Sequence, residues 1–264
     1  MTVETGDDVR RRVADWWGTS VSRIEPGVIE LRGHPIQELL GTTSLTDGIW
    51  LMLHGTLPTP RQAELLDAAL VGSLDHGPHA PSIAVARMSA TCGVGLNNAI
   101  ANGVNVMGDV HGGAGQQCLE LYTEIRDLAA AGTGHAEATR VVVQQWQARS
   151  KYLPGFGHRF HPRDPRRDPL LGLVERAVAD SVVAGDFLAA GLAVEAAIAP
   201  VPMNIDGATA VIYGELGFPA PLARGLFVIA RSVGILAHAW EEMQGGRRIK
   251  GPIPPDIRPT YRPA

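Results

Sequence analysis

The chain has 264 residues, which leaves room for one large domain or two small ones at ~100–200 residues each. Its 23 basic and 27 acidic residues give a net charge of −4, so nothing draws it in bulk to nucleic acid or to an anionic lipid surface. A hydrophobic content of 45% argues for a packed globule, and two cysteines, Cys92 and Cys118, exclude a disulfide scaffold and a four-cysteine zinc site.

The first residues, MTVETGDDVRRR, carry no apolar signal core, and no apolar run approaches the ~18–20 residues that cross a bilayer. These features predict a soluble cytoplasmic enzyme. Segment 7–17 predicts a helix. Residues 25–40 open on a Pro-Gly turn and a short extended stretch, and a helix follows from Pro35, a favourable first-turn residue. Ser44 and Asp47 have the spacing of an N-terminal cap before the apolar run Ile49–Leu53. Pro58 and Pro60 stop one helix and start another, which runs to about Gly72.

Across 82–104, Ile83, Ala86, Ala90, Val94, Ile100 and Val104 recur near the helical period, which predicts one long helix. Its small residues, among them Ala86, Gly93, Gly95 and Ala99, suit close approach of neighbouring helices or a subunit interface. Segments 114–131, 136–150, 169–182, 185–199, 204–216 and 220–243 also predict helices. The last has Pro221 in its first turn and Leu226, Ile229, Val233 and Leu236 on one face. Few alternating runs exist, so the expected fold is all-α. The tail 244–264 has five prolines and no periodicity, and reads as an extended C-terminal arm.

Polar residues interrupt apolar, glycine-rich text at four places: Asp75-His76-Gly77-Pro78, Asp109-Val110-His111-Gly112-Gly113-Ala114, Pro154-Gly155-Phe156-Gly157-His158-Arg159, and Asn204-Ile205-Asp206-Gly207. A histidine beside glycine at a helix boundary sits where backbone can approach a ligand closely. An α/β-hydrolase reading of His111-Gly112-Gly113 fails, because no Gly-x-Ser-x-Gly elbow occurs. A metal reading of His158, His161 and Asp164 is weakened by Pro162 and Pro165, which make that stretch a loop. A third reading is proton transfer at a carbon beside a thioester, with arginines gripping carboxylates.

The ordered motifs resemble the citrate synthase superfamily from about Ile29 to Arg248. Leu31-Arg32-Gly33-His34-Pro35-Ile36-Gln37-Glu38-Leu39 is similar to the family's N-terminal motif. Pro154–Arg159 followed by Asp164-Pro165-Arg166 resembles its most specific one, and Ala230–His238 resembles a helix near its C-terminus. Asp75–Pro78 and Asn204–Gly207 look most like the citryl-CoA lyase module of ATP-citrate lyase, whereas His111 is a synthase-like feature. The resemblance implies a multi-helix homodimer with a large helical domain and a small mobile one. The chain would then be a single citrate synthase-like unit over 1–264, with a small-domain insert near 135–220 and the arm 244–264 laid on the partner.

By the same resemblance, His111, His158 and Asp206 are catalytic. Asp206 would be the acid/base at the acetyl methyl carbon. His158 would serve the oxygen that is hydroxyl in citryl-CoA and carbonyl in oxaloacetate, and His111 would hydrogen-bond the thioester oxygen. His76, Arg159, Arg166 and Arg231 would bind substrate, since a guanidinium fork matches a carboxylate. The arm would add Arg248 across the dimer, with Arg247 and Lys250 as alternatives. Coenzyme A would contact Leu153, Pro154, Gly155, Phe156 and Gly157, with Lys151 near a phosphate. The expected activity is retro-aldol cleavage of citryl-CoA to acetyl-CoA and oxaloacetate, with the CoA thioester as substrate, no tightly bound cofactor and no metal. The alternatives are a citrate or 2-methylcitrate synthase, which would also hydrolyse the thioester, and a non-catalytic acyl-CoA-binding paralogue.

Overall fold

The computed structural model describes residues 5–254 and 256–263. Residues 255 and 264 of the expected arm therefore lie outside it. The chain divides into two compact units, one up to Glu64 and one from Leu65 onward.

The first unit begins with α1 (Gly6–Trp16), which Thr5 and Asp8 start through a reciprocal capping box. A three-stranded antiparallel sheet follows, with β1 (Ser22–Glu25), β2 (Val28–Leu31) and β3 (His34–Pro35) in the order β1-β2-β3. The Pro-Gly turn thus joins β1 and β2 in a hairpin, and the short extended stretch read after it is β2. Strands of four residues suffice when each pairs with its neighbour in sequence across a tight turn. The short helix α2 (Ile36–Leu39) starts after Pro35, as read from the sequence. Helix α3 (Leu45–His54) has the Ser44–Asp47 capping box and ends on Gly55 in the left-handed conformation.

Helix α4 (Pro60–Ser73) opens on Pro60 and buries Leu65, Leu66, Ala69 and Leu70. The expected single helix over 82–104 is two: α5 (Pro81–Thr91) and α6 (Leu96–Asn105). The apolar period continues through the break, but Gly93 takes φ +83 and reverses the chain there. The small-residue reading holds in both halves. Ala86, Ala90 and Ala99 are buried with Ile235 and Ala239 of α12 (Ala220–Gln244).

Helices α7 (Ala114–Leu128), α8 (His135–Arg149), α9 (Arg167–Ala179), α10 (Asp186–Ala197) and α11 (Ile205–Glu215) complete the second unit. Helix α11 is buried along nearly all its length, from Gly207 to Gly214. It packs against α7, α9 and α10, while α5 and α6 pack on α12. Against the sequence expectation, α12 is long and apolar enough to cross a membrane by length and composition. Here it packs on α5, α6 and α7, and it buries the charged Arg231 and Glu242. Of the four apolar residues read on one face, Leu226 is buried, and Ile229, Val233 and Leu236 are exposed.

Candidate active site

The motif residues meet in a cleft of about 340 Å³. His76, His111, His158, Arg159, Arg166, Asp206 and Arg231 all line it, as does Gly157. Lys151, Leu153, Pro154, Gly155, Phe156 and Arg248 are not among its lining residues.

The walls come together because the loop before His158 is bound onto the start of α11. The Asn204 N–H donates to the Gly155 carbonyl at 2.9 Å, and its side-chain amide donates to the Gly157 carbonyl at 2.6 Å. Asn204 also caps α11 by accepting from the N–H groups of Asp206 (2.8 Å) and Gly207 (3.3 Å). One side chain therefore fixes both His158 and Asp206. Glycine is needed on each side of this seam. A Cβ on Gly207 would lie 2.5 Å from the Gly155 oxygen, and one on Gly155, at φ +84, would overlap Cys118. Main-chain groups at Gly155 and Gly157 are thus spent on 202–204, so this loop positions His158.

Asp206 is the second residue of α11. Burial raises its pKa, as does the charge of Asp164, against the pull of Arg166 and Arg231. The result is a carboxylate more basic than usual with two guanidinium groups nearby.

His111 Nε2 lies 3.2 Å from the main-chain N–H of Ser82 and 3.0 Å from its hydroxyl. Ser82 is in the first turn of α5, where N–H groups lack helical partners and the helix end is positive. An N–H donating to Nε2 leaves the proton of the neutral ring on Nδ1. Burial, with Arg231 and Arg159, lowers the His111 pKa, so the ring is a neutral donor near pH 7.

His158 has the opposite tautomer. Its Nδ1 accepts from the N–H groups of Phe160 and His161, each at 3.1 Å, so the neutral ring carries its proton on Nε2. Burial lowers its pKa, with His161 and Arg166 adding to the shift and Asp164 opposing it. His76 meets His158 edge-on, with centroids 5.1 Å apart, and Phe160 closes the ring cluster.

Three arginines face this cleft in different states. Arg166 is clamped by Asp164, which accepts from Nε (2.9 Å) and Nη2 (2.8 Å), while Nη1 donates to the Gly72 carbonyl (3.1 Å). One hydrogen on each terminal nitrogen is left for a ligand. Arg231 is 5% exposed; its Nε donates to the Ser73 carbonyl at 3.1 Å, and Phe227 stacks under it. Its terminal nitrogens have no protein hydrogen bond among the described residues. Arg159 is exposed at the rim and likewise unpaired among the described residues. Fixed guanidinium groups in a cleft suit planar carboxylates.

Asp164 is spent on Arg166 and on the Ile205 N–H (3.1 Å), and His158 Nδ1 on two N–H groups. Among the described residues no cluster of three His, Cys, Asp or Glu could hold a metal. Sequence reasoning missed Ser82 and the bonds by which Asp164 holds Arg166 and the start of α11. Pro81 at the start of a helix was the available sign that Ser82 offers a free N–H. Nothing local linked it to His111, 29 residues on.

Residues 58–260 match the family model described as citrate synthase, C-terminal domain. The chain is 29% identical over 210 residues to the citrate synthase of Acidithiobacillus ferridurans, covering 76% of this chain and 52% of that protein. It spans about half the length of the curated relatives it matches. It is also similar to the structure of citryl-CoA lyase from Hydrogenobacter thermophilus. That match has TM-score 0.80 and 29% identity, and covers 94% of this chain and 96% of that one. ATP citrate lyase from Methanothrix soehngenii, in complex with citrate and coenzyme A, shares the fold at TM-score 0.77 and 17% identity, over 100% of this chain and 45% of that one.

Proposed function

The chain belongs to the citrate synthase family, and from that premise we propose that it is a stand-alone citryl-CoA lyase, cleaving citryl-CoA to acetyl-CoA and oxaloacetate. The observation that carries this reading is the likeness, over nearly the full length of both chains, to a protein described as a citryl-CoA lyase. The second reading is a citrate synthase, favoured by the names of the curated relatives.

The geometry supports one set of roles for both directions. In condensation, Asp206 removes a methyl proton from acetyl-CoA, and its raised pKa suits it to a weakly acidic carbon. His111 donates Nδ1–H to the thioester oxygen as it becomes an enol oxygen. A neutral donor held by a helix N-terminus does this without an added positive charge. The carbon then attacks the oxaloacetate carbonyl, and His158 Nε2–H donates to that oxygen. Two N–H groups at Nδ1 favour the ring form left when Nε2 gives up its proton. Cleavage runs backwards: the hydroxyl proton returns to Nε2, the carbon–carbon bond breaks, and Asp206 protonates the methylene carbon. Arg166 and Arg231 hold the carboxylates, with His76 beside them.

Two further features support a homodimer. Ile229, Val233, Leu236 and Trp240 form an exposed apolar stripe on α12. In the arm, Arg247 and Lys250 bind Glu242 at 2.7 and 2.9 Å, while Arg248 has no partner among the described residues. Of Arg247, Arg248 and Lys250, Arg248 is then the one left to reach a carboxylate in a second copy.

The test supplies citryl-CoA and follows oxaloacetate, and separately supplies acetyl-CoA with oxaloacetate and follows free thiol. Oxaloacetate release without thiol supports the lyase. Thiol release supports the synthase, and silence in both overturns the catalytic reading.

A further inference from the structure

Outside the cleft, a directed chain of polar contacts runs from α5 and α12 to the loop that carries His76. Glu242, fully buried, accepts from Arg87 Nη2 at 2.6 Å. Arg87 Nη1 lies 3.0 Å from His238 Nδ1 and 2.9 Å from Glu241. A guanidinium can only donate, so His238 Nδ1 accepts and the neutral ring carries its proton on Nε2. That Nε2 lies 3.2 Å from Asp75 Oδ2. The Asp75 carboxylate in turn accepts from the Gly77 N–H at 3.1 Å, on the far side of His76. Contact between α12 and this loop is tight, since a Cβ at Gly234 would overlap the Leu74 carbonyl. The mechanism above uses none of Arg87, His238 and Asp75.

We propose that His238 is a positioning residue for His76: held by Arg87 in its Nε2–H form, it fixes the Asp75 carboxylate, which binds the Gly77 N–H and so braces the turn that carries His76. The ring of His76 then meets His158 and the substrate oxygens in one orientation. Glu242 anchors the far end and also holds Arg247 and Lys250, so the chain stands on the same hub as the C-terminal arm. This inference rests on the reading of the cleft as an oxaloacetate site.

The experiment uses the full chain and two variants. His238→Gln keeps a carbonyl acceptor for Arg87 and an N–H donor for Asp75, whereas His238→Leu keeps neither. Oxaloacetate binding is measured by calorimetry, without turnover. The leucine variant is expected to bind about tenfold or more weakly, as for a misplaced contact group. The glutamine variant is expected to stay within about threefold of wild type. Asp75→Ala, in an exposed loop, should cost as much as His238→Leu, and the double variant no more than either alone. Wild-type affinity in His238→Leu, equal losses for Gln and Leu, or additive losses in the double variant overturn the proposal. Should the leucine variant fail to fold, Asp75→Ala and His238→Gln decide in its place, with loss in the first and retention in the second expected. If the wild-type chain takes up no oxaloacetate, the substrate reading falls by itself. The ring resonances of His76 then decide: loss of the contact at His238 or Asp75 must shift them, and His238→Gln must not.

Discussion

Asp164→Asn removes one negative charge from a residue that is 2% exposed and whose carboxylate holds four donors: Arg166 N, Nε and Nη2, and the Ile205 N–H. Those partners hold the Asp164 pKa at about 2 instead of the usual 3.8, despite burial. At about 1.4 kcal/mol per pH unit, that difference is worth roughly 2 kcal/mol of folding stability at pH 7. The asparagine amide would also face a donor on one side, which raises the cost to roughly 3 kcal/mol. For a unit of this size the midpoint of thermal unfolding should fall by about 5–10 °C. The sign with pH follows from the lowered pKa. The contribution is complete above the unfolded pKa near 4 and is lost as pH falls through about 2. Thermal unfolding of both proteins by circular dichroism from pH 7 to pH 3 should therefore show the gap narrowing by about a third at the acid end. Equal midpoints at pH 7, or a gap that widens towards acid, would refute the assignment of Asp164 as the clamp of Arg166 and of the start of α11.

Gly207→Ala should cost about 1–3 kcal/mol by overpacking, seen as a lower melting temperature, because the new methyl lies 2.5 Å from both the Gly155 oxygen and Met203 Cγ. His111→Ala should lower kcat by about 10²–10³ in citryl-CoA cleavage, since a donor to the developing enol oxygen is lost. Arg231→Lys should raise the KM for citryl-CoA about tenfold or more through loss of the planar fork, with the fold unchanged by circular dichroism. Arg248→Ala should raise that KM in the same assay without changing the melting temperature, because the side chain has no partner within its own described chain.

Local chemistry made much of the fold readable. Ser44 and Asp47 cap α3 because a hydroxyl and a carboxylate three residues apart can satisfy each other's N–H groups. Pro35 and Pro60 mark helix starts for the same local reason. The break between α5 and α6 was hidden because Ile83, Ala86, Ala90 and Ile100 keep one period across it, while the reversal rests on the backbone of Gly93. The outward face of α12 was hidden too, since an apolar stripe has the same pattern whether it meets a core or a second chain. In the site, glycine-flanked histidines and Asp206 stood out in apolar text. Their controllers did not. Ser82 sets the tautomer of His111 from 29 residues away, and His238 reaches Asp75 across 163. Such pairings follow from tertiary packing, which no local spacing encodes.

The central claim is that the Asp206 carboxylate moves the proton at the thioester's carbon. Cleavage of citryl-CoA in deuterium oxide, with the acetyl-CoA formed read by mass spectrometry, tests it most directly. The wild-type protein should release acetyl-CoA bearing one deuterium in its methyl group, and Asp206→Asn, still folded, should form it about 10²–10⁴ times more slowly. Near-normal cleavage by Asp206→Asn would contradict the account.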